Sequence, residues 1–259
     1  MTTTLDPGAQ PADPAQPEAP AASGPAGAGV HPLDNPAYAS LSGRHAALAE
    51  RSGRVLRYPA DVSPFVGMPS DPGPRDWADL ARLAGPGALV PLAGVPTRPP
   101  ADWEVVSSVG GVQMVDADLD PAPDPEAVRL TLDDVPEMLA LIDRTRPGPF
   151  LPRTVLLGTY LGIRREGRLV AMAGERLHPP GWTEISAVCT DPAYRGQGLA
   201  TRLVHAVAHG IHARGETPFL HAAADNTTAI SLYTSLGFRL RRTAPFLAVR
   251  TPSEEPPVP

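Results

Sequence analysis

Apolar and polar positions alternate more regularly in the second half of the chain than in the first. The run Trp182-Thr-Glu-Ile-Ser-Ala-Val-Cys-Thr190 has period two and several β-branched residues, which predicts a strand. Alternation puts Glu184, Ser186, Val188 and Thr190 on one face, and Ile185, Ala187 and Cys189 on the other, unless a bulge shifts the parity. After a turn, Leu199, Leu203, Val207 and Ile211 recur every fourth residue, flanked by Ala200, Val204 and Ala208, as on an amphipathic helix. Upstream, residues 128–131 read as a strand, and Val135, Met138, Leu139 and Ile142 as the apolar face of a helix. Residues 160–164 and 168–177 read as a hairpin, and residues 218–222 as a further strand.

The first half gives shorter signals. Asn35-Pro36 followed by Tyr38, Leu41, His45 and Leu48 predicts a helix with proline in its first turn. A second helix is predicted over 76–83, with strands over 54–58, 88–90, 103–106 and 112–115. Between the halves, Asp118-Leu-Asp-Pro-Ala-Pro-Asp-Pro-Glu126 is acidic and proline-rich, which suits a linker at 121–126. Residues 1–30 hold almost nothing large and apolar, so burial cannot offset their ordering entropy, and a disordered tail is predicted there and over 251–259. The expected division is therefore an N-terminal α/β region at 31–120 and a second domain at 127–250.

Composition narrows the chemistry. The chain has 259 residues and a net charge of −6, and all 22 of its Lys+Arg residues are arginine. Without lysine there can be no G-x-x-x-x-G-K-[ST] phosphate loop and no lysine Schiff base. Aromatics at 5% and an acidic balance argue against nucleic-acid binding. The one cysteine, Cys189, cannot form an internal disulfide or a cysteine zinc site. No apolar run is long enough to span a membrane, and the first residues lack a secretory pattern, so the expected location is cytoplasmic. High Arg, Ala, Pro and Gly without Lys resembles the coding bias of a GC-rich bacterium.

The chemistry concentrates where the predicted strand 182–190 meets Asp191-Pro192 and the turn Arg195-Gly-Gln-Gly-Leu-Ala200. A helix start offers unpaired N–H groups and the positive end of the helix dipole. Gly196 and Gly198 remove side chains that would keep a bulky anion away, so residues 195–200 predict a phosphate or pyrophosphate site. A dinucleotide fingerprint would need glycine where Thr201 stands, and an acidic residue about 20 positions on, where Phe219-Leu220-His221 stands.

What remains, Arg195-x-x-Gly198-x-Ala200, resembles the pyrophosphate loop of GNAT-type N-acyltransferases. Asp225-Asn226, Ala229, Leu232-Tyr233 and Leu236-Gly237-Phe238 are similar to that family's second signature, and the two motifs flank a helix and a strand in the family's order. The resemblance covers about residues 127–250. It implies an α/β GNAT fold, a mixed and splayed central sheet flanked by helices, with residues 31–120 as an accessory or degenerate GNAT-like half. It also implies acetyl-CoA, or another acyl-CoA, as co-substrate and an N-acetyltransferase, within the acyltransferases that move groups other than aminoacyl groups.

Carried over residue by residue, the backbone at Val188, Cys189 and Thr190 would pair with pantetheine. The N–H groups of Gly196, Gln197, Gly198, Leu199 and Ala200, with Arg195, would hold the pyrophosphate, and Asn226 would meet the pantetheine side. Tyr233 would protonate the leaving thiolate, and Glu184 would take the proton of the attacking amine, with Glu175 a weaker candidate. The backbone N–H of Val188 would meet the developing oxyanion. The acceptor would be a small-molecule or peptide amine reached by direct transfer, with no metal, nucleic acid or membrane, and a homodimer is compatible with the resemblance. Cys189 is read as core, His205, His209 and His212 as a polar helix face, and His221 as packing. Arg239, Arg241 and Arg242 fit either the nucleotide phosphate or the charges of an edge strand. Two other classes stay open: an acyl-CoA-binding sensor or scaffold without turnover, and an interaction module built on residues 1–30.

Overall fold

A computed structural model describes residues 31–93 and 98–253. The predicted tail at 1–30, and residues 254–259 of the second one, lie outside the described residues. Thr251 is not tail-like: it is buried, its N–H donates to the Ala88 carbonyl, and its hydroxyl accepts from the Ala88 N–H.

The frame is an eight-stranded sheet. Its strands are β4 (Leu89–Ala93), β5 (Glu104–Asp116), β6 (Val128–Leu130), β7 (Tyr160–Arg165), β8 (Arg168–Glu175), β9 (Trp182–Thr190), β10 (Thr217–Ala223) and β11 (Phe238–Arg250). The spatial order is β4-β11-β5-β10-β9-β8-β7-β6. Every pairing is antiparallel except β9 with β10. Such a parallel pair needs a crossover, supplied here by α4 (Leu199–Ala213). The fourfold apolar spacing of α4 buries Leu199, Leu203, Val207 and Ile211 on one sheet face. On the other face, α3 (Val135–Thr145) buries Val135, Met138, Leu141 and Ile142.

A three-stranded antiparallel sheet, β1 (Glu50–Ser52), β2 (Val55–Arg57) and β3 (Val66–Gly67), lies in the N-terminal stretch with α1 (Pro36–Ser42) and α2 (Pro74–Ala84). Asn35 starts α1 by accepting from the Tyr38 N–H, with Pro36 at the first helical position. Leu33, Leu41, Leu56 and Tyr58 from this layer pack with Val115 of β5, Phe219 of β10 and Leu177.

Two expectations change. The short strands at 103–106 and 112–115 are one 13-residue strand, continuous through Gly110 and Gly111. Strand β5 also sits between β10 and β11, so the stretches on either side of 121–126 share one sheet, and residues from 31 onward form one compact unit. β4 flanks β11 only from Phe246 to Arg250, so among the described residues the stretch with Arg239, Arg241 and Arg242 pairs with β5 alone and keeps an open edge, in line with the edge reading. Arg241 also binds Gln113 at 2.8 Å and Asp34 at 2.6 Å, and Arg242 lies 3.3 Å from Asp34. These contacts tie the N-terminal segment to the sheet.

Candidate active site

β9 and β10 pair over only three residues, Trp182 with Thr217, Thr183 with Pro218 and Glu184 with Phe219. Beyond that point they part, because β10 continues along β5 while β9 stays with β8 and bulges. Two β9 residues, Ala187 and Val188, stand opposite the single residue Ala173 of β8, and Ala187 takes a left-handed φ of 54°. The bulge resets the alternation read from sequence. Ile185 packs with the α4 face, but Ala187 and Cys189 pack with the α3 face, and Val188 turns to the α4 side. The separation leaves a cleft of about 550 Å³, lined by residues 184–188, residues 221–223 and Tyr233 of α5 (Thr227–Ser235).

At the end of β9 the chain turns into α4. Gly196 and Gly198 have φ of 76° and 71°, a region costly for residues with a Cβ, and nothing lies within 4 Å of where a Cβ would sit on either. Residues 195–198 are exposed, while the Leu199 side chain enters the core and Ala200 is half-buried. Among the described residues no protein acceptor pairs with the N–H groups of residues 196–200. Arg195 is exposed, with Nε 3.5 Å from the Thr190 carbonyl. The Thr190 hydroxyl is buried without a hydrogen-bond partner. The turn thus presents unpaired donors, a cation and steric room, which fits a pyrophosphate. Asn226 is exposed at the start of α5, where its Oδ1 accepts from the Ala229 N–H.

The floor of the cleft is ionic. Glu184 is fully buried, and both its oxygens are bound: Oε2 by Arg176 Nε at 2.8 Å, and Oε1 by Arg176 Nη2 and His221 Nδ1, each at 2.7 Å. Burial alone would raise this carboxyl, but the Arg176 charge and hydrogen bonds, with His221, outweigh it and hold the pKa at about 2. The Arg176 guanidinium also lies over the Phe65 ring, 4.8 Å from its centroid. His221 therefore does more than pack. Its Nε2 lies 3.0 Å from Gln113 Nε2, whose amide also donates to the Leu33 carbonyl at 2.9 Å. Gln113 Oε1 faces Arg241, which can only donate, so the amide orientation is fixed and Gln113 is a donor toward His221. His221 Nε2 must then accept, which leaves the proton on Nδ1, donated to Glu184.

Tyr233 lines the cleft nearly buried, edge-on to Phe238, and burial pushes its phenol up to about 12, so it keeps its proton at neutral pH. Burial also pushes the Cys189 thiol up to about 11, on the sheet face away from α4. Glu175 lies outside the cleft, where Arg214 and the Thr159 N–H hold it. His212 pairs with Asp116 at 2.6 Å. Arg176, Gln113 and Phe65 carried no sequence signal as site residues: Arg176 and Phe65 line the cleft and Gln113 reaches His221, each from outside the two motifs. Only the neighbouring strand position of His221 pointed toward it.

Residues 160–247 match the FR47-like protein family. The structure superposes on a GNAT-family protein from Novosphingobium aromaticivorans DSM 12444 with a TM-score of 0.77 and 42% identity, over 85% of this chain and 98% of that one. The N-alpha-acetyltransferase RimI of Mycobacterium tuberculosis is 40% identical over 83 residues, 31% of this chain and 51% of that protein. The mycothiol acetyltransferase of Corynebacterium glutamicum is 42% identical over 62 residues, 24% of this chain and 21% of that protein. The chain thus spans about half, or less, of the length of these curated relatives.

Proposed function

The chain belongs to the GNAT family of acetyltransferases, and from that membership we propose that it transfers an acetyl group from acetyl-CoA directly to an amine. The observation that carries the proposal is the pairing of the parted strands β9 and β10 with a glycine turn at one end and Tyr233 inside. Acetyl-CoA would supply an activated thioester. The N–H groups of residues 196–200, with Arg195, would hold its pyrophosphate, and the backbone at Val188, Cys189 and Thr190 would run beside the pantetheine. The exposed amide nitrogen of Asn226 is free to reach the same arm.

Tyr233 donates a proton to the sulfur as it leaves, a role its retained phenolic proton supports. For Glu184 we propose a positioning role: its carboxylate fixes the Nδ1–H tautomer of His221 and neutralises Arg176 beneath the reacting groups. One relative is named an N-alpha-acetyltransferase and the other a mycothiol acetyltransferase, and an amine acceptor is proposed here in line with the first. The test is thiol release from acetyl-CoA across an amine library, with Tyr233→Phe beside the wild type. Tyr233→Phe should lower kcat about 100-fold with the KM for acetyl-CoA unchanged. Full rates in that variant on a confirmed acceptor would refute the acid role.

A further inference from the structure

An attacking amine must lose a proton, and the groups around the cleft that could receive it are already engaged. Both Glu184 oxygens are bound by Arg176 and His221. Both His221 nitrogens are bound, by Glu184 and by a Gln113 amide whose orientation Arg241 and the Leu33 carbonyl fix. Tyr233 is an acid, and Cys189 faces the other side of the sheet. Among the described residues, none lining the cleft offers a free basic lone pair beside Tyr233. The walls give a second, independent observation. Phe65, Leu92, Phe246 and Leu247 line the cleft with Pro36, and its two formal charges, Arg176 and Glu184, cancel each other. Among the described residues lining the cleft, no unpaired charge would hold a cation.

Resting on the acetyl-transfer reading, we infer that the acceptor is an apolar, weakly basic amine that arrives already neutral, and that Phe65 and Phe246 select its apolar part. The step balances without a separate base. The nitrogen lone pair forms the C–N bond as the C–S bond breaks, and the electron pair leaves on sulfur. Sulfur takes the Tyr233 proton, and the phenolate takes the proton that nitrogen sheds. An α-amine with a pKa near 8 is about one-quarter neutral at pH 7.5, whereas an ε-amine near 10.4 is about 0.1% neutral. That difference alone favours the weaker base about 200-fold.

The full chain would be assayed by thiol release from acetyl-CoA between pH 6 and 9. The acceptors are phenylalaninamide, a lysine-free peptide beginning with Phe, glucosamine, spermidine, and a lysine peptide with a blocked N-terminus. We expect kcat/KM for the first two to exceed that for the lysine peptide and spermidine about 100-fold or more. It should also exceed that for glucosamine, which is weakly basic but polar. The rising limb of each pH profile should follow the pKa of the acceptor used. Phe65→Ser and Phe246→Ser should each lower kcat/KM for phenylalaninamide at least tenfold while leaving the KM for acetyl-CoA unchanged. A peptide faster than the amide, or the reverse, supports the inference and tells a chain terminus from a small amine. A limb at one pH common to all amines, or a preference for glucosamine, spermidine or the lysine peptide, would overturn it and leave acetyl transfer standing. No thiol release with any amine would instead overturn the acetyl-transfer reading itself.

Discussion

Acidification from pH 6.5 to 4.5 is expected to destabilise this protein through two buried histidines that do not line the cleft. His45 and His178 are buried with ring centroids 5.0 Å apart, where the α1 layer meets the segment after β8. His45 accepts from the Tyr58 hydroxyl and donates to the Leu157 carbonyl. The Thr183 hydroxyl gives its proton to Glu216 and so accepts from His178 Nδ1, which leaves His178 Nε2 unpartnered. Both rings are therefore neutral, and burial holds each pKa at about 4, below the ordinary 6.5. Below 6.5 the unfolded chain takes up protons that the folded chain does not, so stability falls as pH falls, until the folded rings titrate near 4. Each ring contributes a slope of about 1.4 kcal/mol per pH unit, or about 3 kcal/mol over its window. Their proximity makes the second protonation harder, so two independent rings set the upper limit. Against a domain stability of roughly 5–15 kcal/mol this is a large loss. The carboxylates with lowered pKa values, Glu184 among them, lose their contribution only below about 4.5, so the window above that pH reports the histidines. Urea denaturation at half-unit pH steps on the wild type, His178→Gln and His45→Gln/His178→Gln would measure it. Each substitution should remove about one proton from the slope. A flat wild-type profile, or a double variant as steep as the wild type, would refute the reasoning.

Arg176→Met would leave the Glu184 carboxylate buried without its main partner, which should cost roughly 3–5 kcal/mol and raise the Glu184 pKa, read by denaturation midpoint and by acid titration of the variant. Gly198→Val forces a Cβ into a φ of 71° at the turn, so the KM for acetyl-CoA should rise at least tenfold, with a smaller change in KM for the amine. Because every one of the 22 basic residues is arginine, incubation with acetyl-CoA should leave all internal residues free of N-acetylation by peptide mass analysis, and an internal N-acetyl group would contradict this.

The side of the cleft proposed for acetyl-CoA is built from elements that could be read from sequence because they are local. Period two, a glycine turn and a fourfold apolar repeat lie consecutively between Trp182 and Ile211, and each imposes its element without help from afar. The bulge at Ala187 could not be read, since no glycine marks it and only the mismatch with β8 produces it. The place of β5 was equally hidden. Val112 and Met114 pack toward α4 while Val115 packs toward α1, a pattern that says a strand is interior but not which strands flank it. The surroundings of Glu184 were hidden for a related reason. Its position was visible, but the Arg176 and His221 that saturate it come from a loop and a strand whose proximity only the sheet order reveals.

This division between local and assembled parts limits what similarity can carry. The family match spans residues 160–247, which holds the glycine turn, Tyr233, Glu184, Arg176 and His221. Gln113, Phe65, Leu92 and Pro36 lie before it; Gln113 fixes the His221 tautomer, and the other three line the cleft. An alignment of 62 or 83 residues is too short to hold both Gln113 and Tyr233, so likeness over that length does not carry the whole cleft. The GNAT-family protein that aligns over 85% of this chain is a relative in which residues 31–120 can be compared position by position. Agreement there at the positions of Gln113, Phe65 and Phe246 would predict the same apolar acceptor class for both proteins. Polar replacements would predict that the two part company in acceptor while binding acetyl-CoA alike.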